Sequence, residues 1–218
     1  MFISYWNWFI YMSSNIIFSC VIPAKSLDDP KLNDLLTSIR AQDFPQDQIE
    51  TIVVTEGDSE QAKAIGIRGA KGEICAMFCA DNYIVDRGLF KTIHYILDKN
   101  QELSAVYPYK YAHIKDDNSL NRYFSLIGGN DPVCYYLGKN DRWPHVESLR
   151  VRSNYQPSYG CNGFFYRAND IKETDLDHYY PMDNATEVKG KIATLGIAAI
   201  WHRTTDGNLI KFLIKRYK

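Results

Sequence analysis

The stretch "AKAIGIRGAKGEICAMFCADN", residues 62–82, sets three glycines ahead of an apolar run that stops at an acid. Gly66, Gly69 and Gly72 are spaced GxxGxxG and precede the run. A dinucleotide-binding fingerprint has the spacing GxGxxG and follows a strand, so this reading is set aside. The glycines instead end a helix that opens near Asp58 or Ser59, and residues 73–80 read as the strand that follows it. Asp81 then stands at the end of that strand, either as a site acid or as an ordinary turn residue.

Outward from this stretch the same alternation continues. Residues 18–24 ("FSCVIPA") form a continuous apolar run, as a buried strand does, and residues 49–55 ("IETIVVT") read as a second strand. Between them Asp28, Asp29 and Pro30 supply a helix start for residues 31–42, with Leu32, Leu35, Leu36 and Ile39 on one face. A further helix over residues 86–99 turns Leu89, Phe90, Ile93, Ile96 and Leu97 inward. Strands alternating with helices at this spacing predict a parallel sheet covered on both faces, with ligands bound beyond the carboxyl ends of the strands.

After Leu103 the pattern loosens. Residues 105–111 suit a strand, residues 118–145 are loop-rich with short helical pieces, and residues 159–170 read as a strand entering a turn. Residues 184–196 are expected to be a helix ended by Gly196, and residues 197–202 ("IAAIWH") a last strand that delivers His202 to its end. No repeat or linker interrupts this order, so one domain is expected.

Composition narrows the function classes. With 218 residues, 45% of them hydrophobic, the chain can bury a large core, and a formal charge of -1 offers no general attraction to nucleic acid. The five cysteines are scattered without a CxxC pair, which suits buried free thiols in a reducing compartment. No GxxxxGK[ST], HExxH or GxSxG occurs, which removes the P-loop and the commonest hydrolase signatures. Residues 1–17 are aromatic and nearly uncharged, without the basic start of a signal peptide; they read as an added packed segment or an interfacial patch. Residues 204–218 end in "LIKFLIKRYK", either an ordinary amphipathic helix, one that lies on an anionic membrane, or one that leads into something beyond this chain.

Taken in order, "CVIPAK", "IETIVVTEGDS", "AKAIGIRGAKGEICAMFCADN", "CNGFFYRAND" and "YPMDNATEVKGKIATLGIAAIWH" resemble the inverting family 2 glycosyltransferases. The likeness runs over residues 18–203, with a donor half at 18–100 and an acceptor half at 101–203. It implies a GT-A fold: a single Rossmann-like α/β domain with a mostly parallel mixed sheet flanked by helices. It also implies a nucleotide-diphospho-sugar donor, a UDP- or GDP-sugar, lying across the ends of the first strands.

On that resemblance Pro23, Ala24 and Lys25 line the nucleoside pocket. Glu56 holds the base or ribose, or is a solvated turn acid. Lys63 approaches the diphosphate, or is a surface helix lysine. Asp81 and Asn82 fall on the family's DxD motif, with Cys79 in place of the first acid. Asp81 is then the metal ligand, since Mn²⁺ or Mg²⁺ takes hard oxygen donors and needs few protein carboxylates beside phosphate oxygens. His202 matches a histidine that reaches the metal or diphosphate in some members; otherwise it is a hydrogen-bonded residue of the wall. Arg203 beside it would neutralise a phosphate or contact the acceptor.

Asp183, at a helix start where the family carries Glu-Asp, is the implied catalytic base, with Met182 in place of the Glu; an N-cap role competes for it. Asp175 and Asp177 are the nearest alternatives. Asn162 and Gly163 would shape the acceptor or sugar pocket. Trp143, within the aromatic segment 126–145, would form an acceptor platform if that segment is not simply a packed lid. The function implied is metal-dependent transfer of a sugar to a glycan, glycolipid or polyprenyl-phosphate acceptor, in the cytoplasm or at the cytoplasmic face of a membrane. The losses at positions 79 and 182 leave open a non-catalytic sugar-nucleotide-binding or glycan-binding module of the same fold. A sugar-1-phosphate nucleotidyltransferase fits less well, because no GxGxR loop follows the first strand.

Overall fold

The computed structural model describes residues 15–108, 110–127, 150–151, 162–176, 190–203 and 208–216. They form nine strands: β1 (Phe18–Pro23), β2 (Ile49–Val54), β3 (Ile74–Met77), β4 (Asn82–Ile84), β5 (Leu103–Pro108), β6 (Arg150–Val151), β7 (Phe164–Arg167), β8 (Lys191–Leu195) and β9 (Ile200–His202). Six α-helices accompany them: α1 (Pro30–Arg40), α2 (Ser59–Gly69), α3 (Leu89–Lys99), α4 (Ser119–Ile127), α5 (Ala168–Lys172) and α6 (Leu209–Arg216).

Seven strands make one sheet in the order β2-β1-β3-β7-β5-β8-β6, and β4 pairs with β9 in a separate antiparallel ribbon. β1 runs parallel to β2 and β3, and β5 runs parallel to β8. β7 enters between β3 and β5 antiparallel to both, and β6 is antiparallel to β8. Five strands thus share one direction, so the carboxyl ends of β1, β2 and β3 and the amino end of β7 lie along one edge. The insertion of β7 makes the sheet mixed but mostly parallel, as the resemblance implies.

Local chemistry explains the first elements. Asp29 caps α1 by accepting from the Lys31 amide at 2.9 Å, and Pro30 at the first helical position loses no hydrogen bond there. α2 opens with a capping box. Asp58 Oδ1 accepts from the Glu60 and Gln61 amides, and Gln61 Oε1 accepts from the Asp58 amide.

Alternation along the strands divides the core between the two faces of the sheet. Phe18, Cys20 and Ile22 point to a layer completed by Leu32, Leu35 and Ile39 of α1 and Phe90, Ile93 and Leu97 of α3. Val21, Cys75 and Met77 face the other layer, with Ile67 of α2 and Ile171 of α5. Phe18 stacks on Phe90 with ring centroids 4.5 Å apart, and Phe165 meets Phe78 edge-on at 5.9 Å.

Two of the three glycines in the opening stretch owe their place to this packing. A Cβ on Gly66 would fall 2.4 Å from Val21 Cγ1, and one on Gly72 would fall 2.8 Å from the Ser19 amide nitrogen. Their absent side chains let α2 and the turn after it lie directly on β1.

The chain departs from expectation at three places. Residues 191–195 are strand β8, where a helix ending at Gly196 is predicted. Ile192, Ala193, Thr194 and Leu195 are buried beside β5, and that pairing decides the conformation over a weak local preference. The strand read over residues 73–80 ends at Met77, and a separate short strand, β4, begins at Asn82. The strand at 164–167 leads directly into the short helix α5.

Candidate functional site

The turn from β3 to β4 answers the question posed by Asp81. Within Cys79–Asn82 the Asn82 amide donates to the Cys79 carbonyl at 2.9 Å, while Asn82 Oδ1 accepts from the Cys79 amide at 3.0 Å. Asn82 is completely buried and ties the turn twice, leaving Asp81 at its outer corner with its side chain 23% exposed. Asp81 is therefore both a turn residue and a displayed carboxylate.

β9 brings His202 to the same corner. Register pairs Asn82 with His202, and the Arg203 amide donates to the Asp81 carbonyl at 3.1 Å. His202 Nε2 lies 3.5 Å from Asp81 Oδ1.

Asn162 and Gly163 complete the group from the amino end of β7. The Gly163 amide donates to the Met77 carbonyl at 2.8 Å, which docks this segment onto the end of β3. Asn82 Nδ2 donates to Asn162 Oδ1 at 2.9 Å, and Asn162 Nδ2 lies 3.4 Å from both Tyr111 Oη and His202 Nδ1. Tyr111 is buried and presents its ring edge-on to His202 at 5.5 Å. Segments distant in the sequence thus hold one imidazole and one carboxylate in a fixed relation.

Gly163 has φ of +76°, and a Cβ there would come 1.8 Å from Ile200 Cδ1. Both the left-handed backbone and the contact with β9 require glycine.

The other predicted residues are distributed around this centre. Pro23 ends β1 buried, Ala24 is half-buried with its amide on the Val54 carbonyl, and Lys25 is exposed just beyond. Glu56 is exposed past the end of β2. Lys63 is not a surface lysine: it is buried on α2, and its ammonium pairs with Glu60 one turn earlier. Arg203 points to α1, where Nη1 donates to Asp34 Oδ2 at 2.7 Å and Nη2 to the Lys31 carbonyl at 3.2 Å, with the guanidinium carbon 5.3 Å from the centre of the Trp201 ring. The structure accordingly gives Arg203 a tying role between β9 and α1. Asp183, Asp177 and Trp143 lie outside the described residues.

Sequence reasoning missed Tyr111 and the Trp201–Asp117 hydrogen bond of 2.8 Å, which braces β9. Tyr111 and Asp117 sit in no motif, so no signal short of the tertiary pairing would have found these contacts.

Among the described residues no cluster of three or more His, Cys, Asp or Glu forms a metal cage. Asp81 and His202 are the two residues here that could supply donors to one ion. Adjacent ligands about 2.1 Å from one octahedral ion lie roughly 3.0 Å apart, close to the 3.5 Å observed. The two residues fit a cation whose remaining positions are filled by a ligand and water.

No protein-family model matches the chain, and no curated protein matches it. Solved structures do. The mannosyltransferase PcManGT from Pyrobaculum calidifontis, in complex with GDP-Man and Mn²⁺, is similar with a TM-score of 0.63 at 14% identity, over 93% of this chain and 61% of that one. TarS 1–349 of S. aureus is similar with a TM-score of 0.60 at 14% identity, over 87% of this chain and 61% of that one. A197 from STIV gives 0.51 at 12% identity, over 88% of this chain and 87% of that one. The chain thus spans about three fifths of the first two structures. At these identities the likeness is one of fold, and the α/β architecture expected from the sequence is the one observed.

Proposed function

We propose that the chain transfers a sugar from a nucleoside-diphosphate donor to a glycan, glycolipid or polyprenyl-phosphate acceptor, with inversion and the help of Mn²⁺ or Mg²⁺. The observation that carries this reading is the convergence of Asp81, His202, Asn162 and Gly163 at the carboxyl edge of the first strands. Support comes from similar folds crystallised with UDP-GlcNAc and with GDP-Man and Mn²⁺.

In this reading Pro23, Ala24 and Lys25 border the nucleoside, with Glu56 on the base or ribose. Lys63 acts toward the diphosphate from within α2, its charge balanced by Glu60 in the protein alone. Asp81 and His202 hold the cation, which when bound neutralises charge developing on the leaving diphosphate. Asn82 and Asn162 fix the two donors, and Gly163 docks the Asn162 segment on the end of β3. Asp183 accepts the proton of the acceptor hydroxyl as its oxygen bonds to the anomeric carbon and the bond to the diphosphate breaks. Trp143 offers an apolar face to an acceptor sugar.

A panel of UDP-, GDP- and dTDP-sugars, each tested with Mn²⁺ and with Mg²⁺ for binding and slow hydrolysis, tests the proposal. At least one donor should raise the apparent melting temperature and be hydrolysed, because a ligand of the folded state stabilises it. Neither effect with any donor would sink it. Cys79 in the place of the first DxD acid favours a second reading, a binding module without turnover. Asp183→Asn separates the two: a transferase loses turnover while retaining donor, whereas a module binds donor and has no turnover to lose.

A further inference from the structure

α6 treats its apolar residues differently from the helices that cover the sheet. α1, α2 and α3 bury most of theirs, each of the last two leaving a single large one exposed (Ile65 and Tyr95), but Leu209, Ile210, Leu213 and Ile214 are together exposed by 56%, 70%, 44% and 54%. Their spacing of i, i+1, i+4 and i+5 puts them on one face. The same eight residues carry Lys211, Lys215 and Arg216 and no acid. Asn208 starts the helix, with Oδ1 accepting from the Lys211 amide at 2.9 Å.

Exposed branched side chains cost stability in water, so an environment that takes them up stabilises this helix. No helix among the described residues is long and apolar enough to cross a membrane. An apolar face on a helix bearing only cations complements an anionic bilayer surface, where acyl chains take the face and lipid headgroups take the charge.

Chain length fixes where such a surface would lie. Arg203 is bonded through its amide to the Asp81 carbonyl, and six Cα steps separate it from Leu209. Whatever path they take, those steps span at most about 22 Å. A helix seated on a membrane therefore keeps the Asp81–His202 edge within that reach of the headgroups.

We propose that α6 docks the Leu209–Ile210–Leu213–Ile214 face into the interface of an anionic membrane and holds the site edge beside it. Sedimentation of the full chain with vesicles tests the docking without any sugar nucleotide. Wild type should pellet with phosphatidylcholine vesicles containing about one third phosphatidylglycerol, weakly with phosphatidylcholine alone, and less at high salt. Ile210→Asp/Leu213→Asp should lower partitioning at least roughly tenfold, and Lys211→Glu/Lys215→Glu should do so on the anionic vesicles alone. These changes lie on an exposed helix, and an unchanged thermal melt checks the fold.

Wild type left in the supernatant with anionic vesicles overturns the proposal, as does an Ile210→Asp/Leu213→Asp variant that still pellets. So does a wild-type dimer that this variant dissolves without vesicle binding, which would make the face a contact between two copies. Donor hydrolysis measured without vesicles reports separately on the transferase reading. Loss of one result leaves the other standing.

Discussion

Gly163 shows how narrowly a single residue is specified. Its left-handed backbone and the approach of Ile200 arise together, because the amide of Gly163 must reach the Met77 carbonyl while β9 crosses close by. Gly163→Ala is expected to cost about 2–4 kcal/mol, combining the φ penalty with an overpacked contact. Ile200→Ala opens a cavity of its own, but in that background Gly163→Ala should cost less than in wild type, the backbone part alone remaining. Denaturant unfolding of the single and double variants checks this, and a Gly163→Ala variant as stable as wild type contradicts the geometry. Asp81 and His202 lie beyond this kind of argument from sequence alone: either residue has an ordinary role in a turn or a wall, and only their 3.5 Å approach pairs them.

Among the elements, α2 was the most legible. Its start is written in Asp58 and Gln61, whose reciprocal bonds satisfy amides that a helix leaves open, and its end is written in the glycines. Asp58→Ala should therefore lower stability by about 1 kcal/mol, seen as a shift in the urea midpoint at constant slope. Asp58→Ser should restore most of it, since a hydroxyl caps as well. β8 was illegible for the opposite reason. Residues 191–195 mix Lys, Ile, Ala, Thr and Leu, a set with little preference of its own, and their conformation is imposed by β5. β4 is three residues long and pairs with β9, more than a hundred residues away, so its local signal is only a turn.

For the molecule as a whole, the sheet doubles as a store of buried thiols. Cys20 and Cys75 sit on adjacent strands and point into opposite layers of the core. Burial raises the Cys20 thiol far above its ordinary range, with Cys75 and Glu50 adding to the effect. Burial likewise pushes Cys75 up to about 12, against a smaller opposing influence of Lys172. Below about pH 8.5 both folded and unfolded chains keep these protons, and the buried thiols cost nothing extra. Above it the unfolded chain releases them while the folded chain does not, so stability falls as pH rises toward the folded values. Each thiol should contribute up to about 1.4 kcal/mol of loss per pH unit in that window. Cys75→Ala should flatten the decline between pH 9 and 11 (roughly the window set by those values), read as the difference from wild type in urea midpoints. An equal slope in the two proteins would show that Cys75 is not buried as the structure has it.

The sequence by itself determined the first three strand–helix units and the capped starts of α1 and α2. Those features rest on local chemistry: apolar period, capping side chains and small residues. Tertiary structure alone decided the antiparallel insertion of β7, the strand at 191–195, and the ribbon that sets His202 beside Asp81. It also decided that Lys63 is buried, that Arg203 ties β9 to α1, and that the apolar face of α6 is left exposed. Each of these depends on partners far along the chain, and the energy of such pairings is absent from any short stretch of sequence.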